Sequence, residues 1–172
     1  MEQAIIAGVA HDKSEAKVTI VGVPDRTGVA ARIFQALADN DLNIDMIVQN
    51  VSAAATGLTD ISFTLPKADG AEATTVLKKI QGEVGFASIQ YDDTIGKLSL
   101  VGAGMRSHPG VTATFFASMA EAGVNIEMIS TSEIRISVVI RQNDAKAAVQ
   151  AVHTAFGLDG DVEAIVYAGT GR

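Results

Sequence analysis

The sequence predicts an α+β protein of two tandem βαββαβ units, and two observations carry that expectation. The first is internal repetition. Lys17-Val-Thr-Ile-Val-Gly22 is answered by Lys97-Leu-Ser-Leu-Val-Gly102 at an offset of 80. Residues 28–34 and Leu42-Asn-Ile-Asp-Met-Ile47 return as residues 110–116 and Val124-Asn-Ile-Glu-Met-Ile129 at an offset of 82. Ile61-Ser-Phe-Thr-Leu65 returns as Ile136-Ser-Val-Val-Ile140, and Ile89-Gln-Tyr91 as Ile165-Val-Tyr167. The second observation is that the apolar period switches in the same order within each repeat.

In the first repeat, Val18, Ile20 and their apolar neighbours read as a buried strand. From Gly28 to Asn40, Val29, Ile33, Phe34, Leu37 and Ala38 recur at helical spacing, so a helix follows. Residues 43–51 and 58–65 are β-rich runs separated by Ala53-Ala-Ala-Thr-Gly57, a hairpin in which Gly57 supplies a positive φ. A second helix fits residues 69–81 with Ala73, Val76, Leu77 and Ile80 inward, and a last strand fits 86–91. The second repeat gives strands at 97–102, 126–131, 134–140 and 162–168 and helices at 110–122 and 144–156. This order is the split βαβ, or ferredoxin-like, sandwich: an antiparallel sheet with two helices on one face. Its other face is bare, so the modules are expected to pack on each other or on a second chain. The expected boundaries are 15–93 and 94–172. Residues 3–12, centred on Ala4-Ile-Ile-Ala-Gly-Val-Ala10, form a further strand expected to extend one sheet, that of module two.

Composition removes several function classes. The 172 residues carry 13 Lys+Arg and 20 Asp+Glu, a formal charge of −7, with 48% hydrophobic residues, no Cys and no Trp. Such a chain can fill a core and is not expected to be disordered. Without cysteine there are no disulfides, thiolate nucleophiles or zinc ribbons, which fits a reducing, cytoplasmic compartment. Met1-Glu2-Gln3 opens no signal peptide, and no apolar run is long enough to span a membrane. Net negative charge and few aromatic rings argue against nucleic acid. No Gly-x-Ser-x-Gly elbow, His-Glu-x-x-His, phosphate-binding lysine loop or Gly-x-Gly-x-x-Gly is present. His11, His108 and His153 lack ligand spacing, so no metal is expected. Acylphosphatases share the fold and need an Arg in the first loop, which Arg26 and Arg106 could supply. They also need an Asn on a middle strand, and neither Leu58–Leu65 nor Glu133–Val138 contains one.

The remaining chemistry gathers where the first strand meets the first helix. In Val23-Pro-Asp25-Arg-Thr-Gly28-Val-Ala30, an acid precedes a glycine that opens a helix. Free N–H groups and the positive helix end could take a ligand carboxylate while Asp25 takes its ammonium. An aspartate in that position is also an ordinary N-cap and a glycine an ordinary turn residue, so the loop alone leaves both readings open. Asn43 and Asn125 hold equal positions after the first helix of each module, either as left-handed turn residues or as amides offered to a ligand. Gln49 is polar within Ile47-Val-Gln-Asn-Val51 and either binds a ligand or faces solvent. Ser130-Thr-Ser132-Glu133 makes a tight polar turn, where Glu133 could accept a second ammonium.

Several strings resemble a known family. They are Ser14-Glu-Ala-Lys-Val-Thr19, Asn43-Ile-Asp-Met46, Gly102-Ala-Gly-Met-Arg-Ser-His-Pro-Gly-Val111, Ile129-Ser-Thr-Ser-Glu-Ile-Arg-Ile-Ser137 and Val166-Tyr-Ala-Gly-Thr-Gly-Arg172. Together they resemble the regulatory part of the aspartate kinases, in particular the small β subunit of the α2β2 form, across essentially the whole chain. The resemblance implies two ACT domains and no catalytic residue on this chain, with ATP and Mg used by a catalytic α subunit. It implies a homodimer in which module one of one chain packs beside module two of the other. L-Threonine and L-lysine, alone or together, would bind at those interfaces and inhibit the first committed step toward lysine, threonine and methionine. The implied effector residues are Asp25, Arg26, Thr27, Gly28, Val29, Ala30 and Gln49 of module one, with Val111, Thr112, Asn125 and Ile126 of the facing module. Ser132 and Glu133 would reach a lysine side chain, and Asn43, Ile44 and Asp45 would serve the pseudo-equivalent site. Ser52 lies where family substitutions relieve inhibition. Thr27 replaces a proline common in relatives, which leaves this loop freer before binding. The bland alternative is a dimerisation module that binds no effector.

Overall fold

The computed structural model describes residues 5–52, 55–158 and 165–168, and the chain divides into two compact units, Glu15–Asp93 on its own and Thr94–Arg172 together with Met1–Ser14. The first unit, module one, runs β2 (Glu15–Pro24), α1 (Val29–Ala38), β3 (Ile47–Gln49), β4 (Leu58–Pro66), α2 (Gly70–Val84) and β5 (Ser88–Asp92). Its sheet is antiparallel in the order β3-β4-β2-β5. Alternation places Val18 and Ile20 of β2 and Ile61, Phe63 and Leu65 of β4 on one face. Val29, Ile33, Ala36 and Leu37 of α1 pack on that face with Ala73, Val76, Leu77, Ile80 and Val84 of α2. The predicted stripe of α1 shifts by one position in the structure. Ala36 is buried and Ala38 exposed, because positions 29, 33, 36 and 37 keep the 3.6-residue period while 38 lies a further 100° round. Phe34 meets Phe63 edge-on at 5.9 Å, closing the core between α1 and the sheet. Helix α2 runs past the predicted 81 to Val84 and stops at Gly85, whose φ of 88° suits a left-handed C-terminal residue.

Strand β3 is shorter than the predicted run from 43. Residues 45 and 46 still reach β4, but irregularly: Met46 N–H donates to the Thr64 hydroxyl at 3.1 Å, and Asp45 N–H to the Thr64 carbonyl at 2.9 Å. A side chain inserted into the ladder breaks the regular pairing there. Gly57 has the expected positive φ, 64°, while residues 53 and 54 of that hairpin lie outside the described residues.

The second unit, module two, holds β1 (Ile5–Asp12), β6 (Ile95–Ala103), α3 (Pro109–Glu121), β7 (Met128–Thr131), β8 (Arg135–Arg141), α4 (Ala145–Ala155) and β9 (Ile165–Ala168). Residues 162–164 of the predicted last strand lie outside the described residues. Val9, Leu98, Leu100, Ile136, Val138 and Ile140 meet Phe115, Met119, Ala148 and Val152 in one core.

The sheet order is β7-β8-β6-β1-β9, so the N-terminal strand joins module two but does not extend an edge. It inserts between β6, to which it is antiparallel, and β9, to which it is parallel. Its register explains the choice. Asp12 lies opposite Lys97 and Val9 opposite Leu100, as Asp92 lies opposite Lys17 and Ile89 opposite Ile20 in module one. Residues 9–12 thus do beside β6 what residues 89–92 do beside β2, and β9, the sequence repeat of β5, is displaced one strand outward.

Candidate functional site

At the end of module one where β2 stops, three pieces of chain converge. A bulge between Ile20 and Val23 turns β2, with Gly22 at a φ of 69° and its N–H donating to the Asp60 carboxylate at 2.9 Å. The loop 25–28 follows, and Asp25 N–H donates to the Gly57 carbonyl of the β3–β4 hairpin at 2.9 Å. Helix α1 then starts from Gly28, whose φ of 93° is a left-handed value suited to glycine.

That start answers the question left open about Asp25. The N-cap position is Gly28, with no side-chain cap and no acid in the first turn, so Asp25 is not the cap. The Val29 N–H reaches the Arg26 carbonyl at 3.4 Å, whereas those of Ala30 and Ala31 have no acceptor among the described residues. The Asp25 carboxylate likewise has no hydrogen bond or ion pair among the described residues, and Asp25, Arg26, Thr27 and Gly28 are all exposed. The loop therefore offers donors, the positive end of a 10-residue helix and one unspent carboxylate. Gln49 ends β3 opposite Ile61, near this same hairpin end, and its exposed amide is unengaged among the described residues.

Asn43, Ile44 and Asp45 lie at the other end of α1, beside Thr64 toward the far end of β4. They do not join the Asp25 loop within this module. Asn43 is not the left-handed turn residue that its position suggested. Asp41 takes that conformation with a φ of 55°, and in module two Gly123 takes it at 70°. Asn43 and Asn125 are exposed, and neither amide has a partner among the described residues. Ile44 packs partly into the core, and Asp45 is exposed with its carboxylate side chain near the surface.

Module two repeats the plan with different parts. Its first loop is closed by His108, whose Nδ1 donates to the Gly104 carbonyl at 2.7 Å. Pro109 opens α3, as suits a position with no intrahelical donor role, and the N–H group of Gly110 has no acceptor among the described residues. Val111 and Thr112 are half-buried there. The turn holding Ser132 and Glu133 is drawn onto this loop: Met105 N–H donates to the Glu133 carbonyl at 3.1 Å and Gly102 N–H to that of Ile134 at 2.9 Å. The Glu133 carboxylate lies 3.9 Å from Arg106, an exposed pairing of little energetic weight. Asn125 and Ile126 sit past the other end of α3, so they are apart from Thr112 within the module. Ser52 is half-buried and engaged.

The edge strands carry what sequence inspection passed over. Ile47 of β3 is 50% exposed and its repeat Ile129 of β7 is 48% exposed. Both stand on strands with one unpaired edge. The signal was present, since the two occupy equal positions in the repeat. No group of three or more His, Asp or Glu among the described residues is placed to hold a metal ion, and no helix there is long and apolar enough to cross a membrane.

The chain is similar to known proteins along both modules. The model of the ACT-domain family matches residues 18–81 and 98–156, one stretch in each module. Over all 172 residues the chain is 60% identical to an aspartokinase of Mycolicibacterium smegmatis and 57% identical to one of Corynebacterium glutamicum. It spans 41% of the length of each of these curated relatives. The regulatory subunit of aspartate kinase from Thermus flavus superposes with a TM-score of 0.83 at 41% identity, covering 88% of this chain and 99% of that one. A structure of aspartokinase alpha and beta subunits gives 0.82 at 46% identity with the same coverage. Matched in both modules and along nearly all of a separate regulatory subunit, the chain belongs to the ACT-domain family, within the non-catalytic regulatory regions of the aspartate kinases.

Proposed function

We propose that the chain binds end-product amino acids, L-threonine with or without L-lysine, and through them feedback-inhibits aspartate phosphorylation. The observation that carries this reading is the α1 entrance. Unsatisfied N–H groups at Ala30 and Ala31 stand at a helix start that follows the unpaired Asp25 carboxylate. An α-amino acid carries the complementary pair of charges on adjacent atoms, so its carboxylate takes the N–H groups and its ammonium takes Asp25. Arg26, Thr27, Gly28 and Val29 shape that loop, and the Gln49 amide holds the side chain.

The site is completed by a second copy of the chain. Asn125 and Ile126 lie at the opposite end of module two from Val111 and Thr112, and Asn43 to Asp45 lie far from Asp25, so neither module assembles the full set. Pairing β3 of one chain beside β7 of another would cover Ile47 and Ile129 and bring the separated groups together. Ser132 and Glu133 then serve a lysine ammonium. An effector bridging two chains favours one dimer arrangement, and the catalytic subunit, which uses ATP and Mg, is held less active by it. Coupling of about 1–3 kcal/mol is the usual size of such an effect.

Calorimetric titration of the chain with L-threonine and then L-lysine, with light scattering on the same samples, tests the reading. Saturable binding that tightens a dimer is expected. Asp25→Ala and Gln49→Ala should weaken it without unfolding, Asp25→Ala by roughly ten- to a hundredfold, the worth of a charge-assisted hydrogen bond. Unchanged affinity in both variants would refute the site, and a folded dimer giving no heat with either amino acid would leave a dimerisation module alone.

A further inference from the structure

The two modules differ in what lies between the strand beside the first strand and the second helix. Because β1 holds the register beside β6 that β5 holds beside β2, His11 and Lys13 correspond to Tyr91 and Asp93. Helices α2 and α4 both follow an aspartate, Asp69 and Asp144, so Ala145, Lys146, Val149 and Gln150 correspond to Gly70, Ala71, Thr74 and Thr75. In module one the Tyr91 ring fills the space over α2, so closely that a Cβ on Gly70 would overlap it. In module two an imidazole stands where the phenol ring would, and the described residues leave the space open. A cavity of about 340 Å³ lies there, lined by His11, Lys13, Ala145, Lys146, Val149 and Gln150.

Its chemistry is as different as its shape. The lining holds two lysines and a histidine and no carboxylate. None of His11, Lys13, Lys146 or Gln150 has a hydrogen bond or ion pair among the described residues. In a chain of formal charge −7, two lysines and a histidine lining one cavity without a carboxylate among the described lining residues stand apart. The 11-residue α4 starts at the cavity wall with Ala145, and its N-cap residue, Asp144, is not among the lining residues. The counterpart in module one carries Asp93 and no lysine.

We propose that this cavity is an anion site, separate from the amino-acid site, that takes a small molecule bearing a phosphoryl group. Two ammonium groups and an imidazole suit an oxyanion of about two charges better than a single carboxylate, and lysine binds phosphate as a point charge. The volume, near the lower limit of small-ligand pockets, suits a phosphoryl head with a short tail rather than a nucleotide. None of the lining residues belongs to the proposed effector set, so this site and that reading stand or fall separately.

The test is a titration of the full chain with inorganic phosphate and with pyrophosphate, followed by amide chemical shifts at constant ionic strength set with chloride. Saturable shifts confined to residues 11–14 and 144–150 are expected, tighter for pyrophosphate. The double variant Lys13→Asp/Lys146→Ala, which installs the module-one residues at two exposed positions, should weaken binding tenfold or more with the rest of the spectrum unchanged. The single variant Lys146→Ala should fall between it and the parent, and Lys79→Ala, an exposed lysine of module one that does not line the cavity, should not differ from the parent. Linear shifts that chloride reproduces, or equal weakening by Lys79→Ala, would overturn the proposal as non-specific screening.

Discussion

If β1 is an inner strand of module two, truncating its buried residue must damage module two and spare module one. Val9 is 1% exposed and belongs to the core with Leu98, Leu100 and Ile136. Val9→Ala removes two methyl groups, about 1.6 kcal/mol at roughly 0.8 kcal/mol per buried carbon. The cavity left behind adds about 1 kcal/mol if some 40 Å³ stays unfilled, at about 24 cal/mol per Å³. The total, about 2–3 kcal/mol, is a large part of the stability of a small unit. For a unit of 60–100 residues it lowers Tm by roughly 10–20 °C. Hydrogen exchange locates the loss: amides of β6 and β8 should exchange faster, while those of β2 and β4 keep their protection. A change below about 0.5 kcal/mol, or equal loss of protection in both modules, would refute the inner placement of β1.

Three further outcomes follow from the packing. Gly70→Ala should force the Tyr91 ring outward at a cost of about 1–2 kcal/mol. Burial first, and Asp93 second, hold the Tyr91 phenol above its usual value, so alkaline absorbance titration of that variant should show the phenol pKa falling back toward 10.0. Adding Tyr91→His, which copies the His11 and Ala145 pair of module two, should restore the lost stability in thermal melts. On the surface, the Arg32 guanidinium grips the Glu83 carboxylate at 2.7 and 2.9 Å and holds its pKa below 4.5. The pair therefore stabilises the fold above the unfolded carboxylate's pKa and ceases to as pH falls through the lowered one. Arg32→Gln should raise the Glu83 titration midpoint in carbon-detected NMR, and an unmoved midpoint would mean the pair does not persist in solution.

How far the sequence foretold this structure depends on the range of each interaction. The inward residues of α2, Ala73, Val76, Leu77 and Ile80, are all buried as their spacing required, because helical period is local and the sheet supplies one apolar face. The place of β1 is a long-range choice. Both β1 and β9 are short apolar strands able to pair with β6, and composition does not decide between them. What decides is Asp12 facing Lys97, and the match of Val9-Ala-His-Asp12 with Ile89-Gln-Tyr-Asp92 was legible but weak, two aliphatic and acidic identities of type in four positions. The candidate site divides in the same way. The open entrance of α1 follows from Gly28 and the absence of a capping side chain, both readable along the chain. The separation of Asn125 from Thr112 follows from the length of α3, 13 residues or about 20 Å at 1.5 Å per residue, and no motif states it.

The same repeats that make the modules alike also show where they are free to differ. The core positions are kept in type because both sheets need the same apolar face, whereas the charged groups at the helix entrances answer to no packing constraint. In module one the acid, Asp25, precedes Gly28 on the loop that opens α1. In module two that loop contains Arg106, and the acid arrives from a separate turn as Glu133, held against the loop by the Met105 and Gly102 N–H groups. A carboxylate fixed by three residues of backbone and one fixed by the separate β7–β8 turn cannot stand at the same distance and angle from the free N–H groups of their helices. A ligand whose two charges sit on adjacent atoms meets only one of these spacings, so one amino acid is not expected to serve both entrances equally.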